Sequence, residues 1–246
     1  MKTVAVNPHV FTDLEALSEA AADHVIQAAS EAIATRGTFH LALAGGSTPR
    51  RLYELLASPE RRKNTDWSRW EIWFGDERCV PPDHADSNFR MAREALLDHV
   101  PIPPEQVHPM VGHADDPEGD ARAYVHTMDH ILTLAGDVPI FDLVLLGMGD
   151  DGHTASLFPG TDILAVTDRN AAAVHVAAKD SWRISLTYRV LNRAREITFL
   201  VAGAGKAPVL AQVLGQPEAA PRYPVEGIEA QGKVHWFLDQ AAAEEL

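Results

Sequence analysis

The densest set of reactive side-chain types in the chain is Gly147-Met148-Gly149-Asp150-Asp151-Gly152-His153, directly after an apolar run ending at Leu146. An aspartate and a histidine two residues apart at a strand end suit an oriented general base, the carboxylate holding or tuning the imidazole. The same residues satisfy G-x-G-x-x-G, so a dinucleotide reading has to be weighed. Asp150 and Asp151 would stand where a pyrophosphate needs N–H donors, and Pro159 limits any following helix. No nucleotide is expected from this stretch.

Three further loops carry candidate chemistry. Gly45-Gly46-Ser47-Thr48-Pro49 follows an apolar run and opens a helix, whose free N–H groups and partial positive charge suit an anion. It reads either as a phosphate cradle or as an ordinary strand-to-helix turn capped by Thr48. Gly75-Asp76-Glu77-Arg78-Cys79 crowds three charges at the end of another apolar run, which favours a functional role. Cys79 has no evident partner base and is expected to be structural. Gly203-Ala204-Gly205-Lys206 lacks the spacing and the Ser or Thr of a magnesium-dependent phosphate loop, yet Lys206 near a helix start can meet a phosphate directly. His126 and His130 lie one helical turn apart, but the glutamate and third ligand of a zinc site are not indicated. No metal is expected.

These loops need a scaffold that gathers them at one edge. Apolar runs at Phe39 to Ala44, Ile72 to Phe74, Phe141 to Leu146, Ala172 to Ala177, Ile184 to Thr187, Ile197 to Val201 and Val234 to Leu238 read as strands. Several are continuously apolar, as strands buried on both faces of a parallel sheet are. Helical patterns lie between most of them. Thr12 with Glu15 forms a capping box for a helix running to Gly37. Thr48-Pro49, Asp86 or Ser87, and Asp116-Pro117 open others, the last ending near Gly136, and a fourth spans Gly205 to Leu214. The expected fold is α/β: one domain over 1–246, a mainly parallel, Rossmann-like sheet with helices on both faces. In such sheets ligands collect beyond the carboxyl ends of the strands, where the candidate loops fall.

The 246 residues carry a formal net charge of -14, which disfavours nucleic-acid and anionic-membrane partners. A small anion could bind only where a few cations gather against the overall sign. The single cysteine excludes an internal disulfide framework and fits a reducing compartment. No signal segment and no run near the ~18 apolar residues of a membrane span is present, so a cytoplasmic location is expected.

Taken together, the motifs resemble the glucosamine-6-phosphate isomerase/6-phosphogluconolactonase family, and its lactonase members in particular. The resemblance is carried by Leu43 to Pro49, by Gly75 to Pro81 with His84 and Ser87-Asn88, and by the signature Gly147 to Gly160, GMGDDGHTASLFPG. Arg183 to Thr187, Gly205-Lys206-Ala207 and Trp236 to Asp239 agree in order. The segment Pro217 to Ile228 departs from the family's usual loop.

The resemblance implies a fold similar to glucosamine-6-phosphate deaminase, no cofactor, and hydrolysis of 6-phospho-D-glucono-1,5-lactone in the oxidative pentose phosphate pathway. On that footing His153 is the expected base, Asp151 its orienting carboxylate and Arg78 the partner of the lactone carbonyl oxygen. Gly45, Gly46, Ser47, Thr48, Arg183 and Lys206 are expected to hold the phosphate, with Asp76 and Glu77 positioning Arg78 or sugar hydroxyls. The expected assembly is a monomer or weak homo-oligomer. Two alternatives stand beside this one. A deaminase/isomerase would need Asn-Glu-Pro where this chain has Leu157-Phe158-Pro159-Gly160, and a non-catalytic sugar-phosphate sensor would not need both His153 and Arg78.

Overall fold

A computed structural model of the chain describes residues 8–215 and 223–246. Its strands are β1 (His9–Phe11), β2 (Phe39–Leu43), β3 (Trp70–Phe74), β4 (Asp76–Arg78), β5 (Leu134–Ala135), β6 (Val138–Pro139), β7 (Leu143–Leu146), β8 (Ala171–Val176), β9 (Ser181–Leu186), β10 (Glu196–Val201) and β11 (Lys233–Asp239). The α-helices are α1 (Leu14–Arg36), α2 (Ser47–Leu56), α3 (Pro59–Asn64), α4 (Asn88–Ala95), α5 (Pro117–Ile131), α6 (Tyr188–Leu191) and α7 (Ala207–Leu214).

Six strands form one all-parallel sheet in the order β1-β11-β10-β7-β2-β3. The expected mainly parallel sheet with helices packed on it is therefore present. All four residues of β7 are buried, as its unbroken Leu-Val-Leu-Leu run requires at the sheet centre. From β2 the chain runs outward to β3, whereas from β7 it runs the other way to β10 and β11. The order thus reverses between paired strands β2 and β7, and a crevice opens beyond their carboxyl ends.

Two expected strands lie elsewhere. The runs at Ala172 to Ala177 and Ile184 to Thr187 are β8 and β9, which pair antiparallel with each other and with β4 in a separate three-stranded sheet. The polar Asp76-Glu77-Arg78, read as a loop, is the third strand of that sheet. The chain passes from β3 through Gly75 straight into β4, and Leu186 N–H donates to the Gly75 carbonyl at 2.9 Å, which joins the two sheets.

Helix boundaries depart from the sequence reading at several places; α2, expected to open at Thr48-Pro49, starts at Ser47 with Gly46 and not Thr48 at its cap. The cap of α1 is Asp13, whose carboxylate accepts from Ala16 N–H at 2.9 Å, not Thr12. An acceptor one residue nearer the first turn displaces the expected box, and Gly37 closes the helix in the left-handed region at φ 86°. Helix α5 stops at Ile131, because Gly136, at φ 69°, turns the small hairpin β5–β6 instead. Asp116 and Ser87 cap α5 and α4 as expected. Much of the Pro217 to Ile228 segment lies outside the described residues. Among the described residues, no helix is long and apolar enough to cross a membrane.

Candidate active site

A cavity of about 270 Å³ occupies the crevice and is lined by Gly45 to Pro49, Asp76, Arg78, Gly147 to Gly149, His153, Arg183 and Lys206, among others. The structure thus brings together, from five chain segments, most of the residues singled out by type and spacing.

The loop after β7 supplies a base. His153 Nδ1 lies 2.5 Å from Asp151 Oδ1, which also accepts the His153 backbone N–H at 3.1 Å. A carboxylate can only accept, so Nδ1 carries the proton and Nε2 keeps its lone pair for the cavity. Burial pushes the Asp151 carboxyl up, but the bonds and charge of His153 outweigh it and leave the group below its ordinary range. Asp151 itself does not line the cavity; it acts through the ring. The ring also stacks on Phe158, with centroids 4.0 Å apart and planes at 19°. A side chain on Gly149 would place its Cβ 2.1 Å from His153 Nδ1, so only glycine leaves room for the imidazole there.

Other segments of the lining supply positive charge. Arg78 and Arg183 are direct cross-strand partners on β4 and β9, an unfavourable placement for like charges. Arg78 Nη1 donates to the Asp86 carbonyl at 2.6 Å, and the Arg183 guanidinium sits 5.1 Å from the centre of the Phe158 ring. The Nε atoms of both are buried without a hydrogen bond among the described residues. Burial, then the neighbouring Arg78, lowers the pKa of Arg183, the direction expected of a cation awaiting an anion.

Two helix starts add to this. Gly46, at φ 108°, precedes α2 without a side-chain cap, so the first N–H groups of Ser47 and Thr48 stay available to a ligand. Lys206 stands at the start of α7 with no ion-pair partner among the described residues. Its loop is pinned by Asp239, which accepts Gly203 N–H at 3.0 Å and Ala242 N–H at 2.7 Å. Against three cations, the lining contains one carboxylate, Asp76, and that group is engaged with the Ser156 hydroxyl at 2.7 Å and the Asn88 amide at 3.3 Å.

Glu77 does not line the cavity. The residue is 3% exposed, and its carboxylate accepts the backbone N–H groups of Arg78, Asn88 and Phe89, plus the Ser87 hydroxyl. It ties Arg78 to the start of α4, which fits the expected positioning of Arg78. Cys79 packs against Gly112, and burial, reinforced by Asp120 and Glu77, pushes its thiol up to about 11.

Two supporting tyrosines went unread in the sequence. Tyr53 of α2 donates to the Ala44 carbonyl and accepts the Ala44 N–H, and Tyr124 of α5 does the same to Phe74. Each clamps the end of a strand where the ladder runs out and the functional loop begins. The only signal was a tyrosine on the buried stripe of a helix, which also fits plain packing.

Comparison with known proteins gives the family. Residues 12–236 match the family model described as glucosamine-6-phosphate isomerases/6-phosphogluconolactonase. The chain is 48% identical over 220 residues to a 6-phosphogluconolactonase of Synechocystis sp., covering 88% of each. The solved structure of a 6-phosphogluconolactonase from Trypanosoma cruzi superposes with a TM-score of 0.87 at 30% identity, covering 99% of this chain and 98% of that one. A monomeric glucosamine-6-phosphate deaminase, at 21% identity and TM-score 0.81 over 98% of this chain and 100% of that one, shares the fold. The chain belongs to the glucosamine-6-phosphate isomerase/6-phosphogluconolactonase family.

Proposed function

We propose that this chain hydrolyses 6-phospho-D-glucono-1,5-lactone to 6-phospho-D-gluconate, with His153 as general base. The observation that carries this is an imidazole oriented by Asp151 in one cavity with three cations and an uncapped helix start.

The phosphate takes the Gly45 to Thr48 loop, Arg183 and Lys206, where N–H groups and charge are unpaired. That seats the lactone ring towards His153 and Arg78. His153 Nε2 removes a proton from water as the water oxygen bonds to the lactone carbonyl carbon. Arg78 faces the negative charge that develops on the carbonyl oxygen. When the tetrahedral intermediate collapses, the bond from that carbon to the ring oxygen breaks. The imidazolium returns its proton to the leaving oxygen, which becomes the C5 hydroxyl. Asp151 stabilises the imidazolium between the two transfers, and Phe158 fixes the ring plane.

The substrate is a small phosphorylated sugar lactone, with no nucleic-acid or membrane partner, and the chain works as a single cytoplasmic domain, monomeric or weakly self-associating. Purified protein should release acid from the lactone above the spontaneous rate, yet yield neither ammonium nor fructose 6-phosphate from glucosamine 6-phosphate. Leu157-Phe158-Pro159 offers no carboxylate for ring opening. Ammonium release at a comparable rate would overturn this assignment.

A further inference from the structure

At the opposite end of the sheet, three side chains far apart in sequence converge. His24 projects from α1, Glu196 begins β10 and His235 lies on β11, and one ligand atom from each falls within 4.8 Å of the others. His24 Nε2 is 2.5 Å and His235 Nε2 is 3.4 Å from the same oxygen, Glu196 Oε1. The two imidazoles meet edge to face, with centroids 4.9 Å apart, and Phe237 packs on the His24 ring.

The polar contacts of this group are incomplete. Glu196 Oε1 and His235 Nε2 are shut off from solvent; the carboxylate oxygen meets only His24 at close range, and His235 Nε2 has no well-aligned hydrogen-bond partner among the described residues. The Thr198 hydroxyl lies 3.2 Å from His24 Nε2, the His9 ring stands 6.0 Å from the His235 ring, and Lys233 is close enough to act on Glu196 and His235 through its charge. A buried ring nitrogen left without a partner beside a carboxylate is costly, and a cation placed between the three atoms would satisfy all of them at once.

We infer that His24, Glu196 and His235 form a binding site for a zinc-class divalent cation, which clamps α1 to β10 and β11. Two imidazoles and a carboxylate are a donor set that such borderline cations prefer, with a remaining position for water. Tetrahedral ligation at ordinary zinc distances puts ligand atoms about 3.3 Å apart, so the His24 to Glu196 approach needs to widen by only roughly 0.8 Å. The side chains of all three stay partly exposed, at 21%, 13% and 27%, which leaves an entry path. The site lies five residues before the end of β10, roughly 16 Å along the strand from the catalytic cavity, and serves stability, not lactone hydrolysis.

The test is titration of the chelator-treated 246-residue chain with Co²⁺, whose visible spectrum reports ligation, followed by displacement with Zn²⁺. One equivalent should bind to wild type and to His153→Ala alike, and Zn²⁺ should raise the Tm of both. Glu196→Gln and His235→Ala should bind ~100-fold more weakly or worse, because each removes a ligand. His24→Gln gives the same readout if His235→Ala does not fold. A spectrum that never forms, that survives Glu196→Gln, or that disappears in His153→Ala would overturn the inference.

Discussion

The two sets of groups that line the cavity, here the His153 wall and the cationic wall, are built on different principles. The His153 wall is complete in itself: Asp151, Phe158 and the space left by Gly149 hold the imidazole before any ligand arrives. The cationic wall is incomplete, with both arginine Nε atoms unbonded, Lys206 unpaired among the described residues and the α2 start uncapped. The difference separates the chemical task from the binding task. A group that moves protons must be preorganised, because freezing it during reaction would add to the barrier. A group that grips an anion can remain strained until the anion relieves it, so that relief becomes affinity.

Breaking the first wall should therefore strike turnover. His153→Ala should lower kcat by ~10²–10⁴-fold with little change in KM, as loss of a general base does. Asp151→Asn should lower kcat by ~10²-fold or more with KM again preserved, because an amide can donate to Nδ1 and favour the wrong tautomer. Steady-state kinetics on folded variants checks both, and near-normal kcat in His153→Ala would remove that residue from the mechanism.

Breaking the second wall should strike affinity. Arg183→Ala or Lys206→Ala should raise KM for the phosphorylated lactone by ~10–100-fold, the size of a lost charge-assisted hydrogen bond, and barely affect the unphosphorylated lactone. Equal losses on both substrates would show that these cations serve the fold or the chemistry instead.

Glu77, which looked like a member of the second wall, sharpens the contrast by belonging to neither. Glu77→Ala strands three backbone N–H groups and a hydroxyl, and should cost about 2–4 kcal/mol in denaturant unfolding. The smallest effect is expected at Cys79. With its thiol pushed up to about 11, it is almost wholly protonated at pH 8, and the thiolate forms only as pH rises towards that value. Alkylation of native protein should be slow at pH 8 and accelerate steeply above pH 10, while Cys79→Ala keeps lactone hydrolysis.

Why some of this was legible in the sequence and some was not has a physical basis. Unbroken apolar runs such as Leu143 to Leu146 mark buried parallel strands, and glycine-rich turns after them mark the carboxyl edge where ligands bind. His153, Asp151 and the Gly45 to Thr48 loop were readable because their partners lie within a few residues. Strand pairing is a long-range property, so nothing local told that Ile184 to Thr187 would pair antiparallel with the charged Asp76 to Arg78. Glu77's bond to Arg78 was within local reach, whereas its other partners, Ser87 to Phe89, sit about ten residues on and only folding brings them to it. The group formed by His24, Glu196 and His235 was invisible for the same reason, whereas the closely spaced His126 and His130 drew attention to themselves.

The most direct test of the central claim is the initial rate of acid release from 6-phosphogluconolactone by chelator-treated wild type and by His153→Ala, each corrected for spontaneous hydrolysis. Wild type should run far above the background with no divalent ion restored, and His153→Ala should fall close to it. A wild-type rate equal to background, or one recovered only on adding a divalent ion, would contradict a metal-independent lactone hydrolysis based on His153.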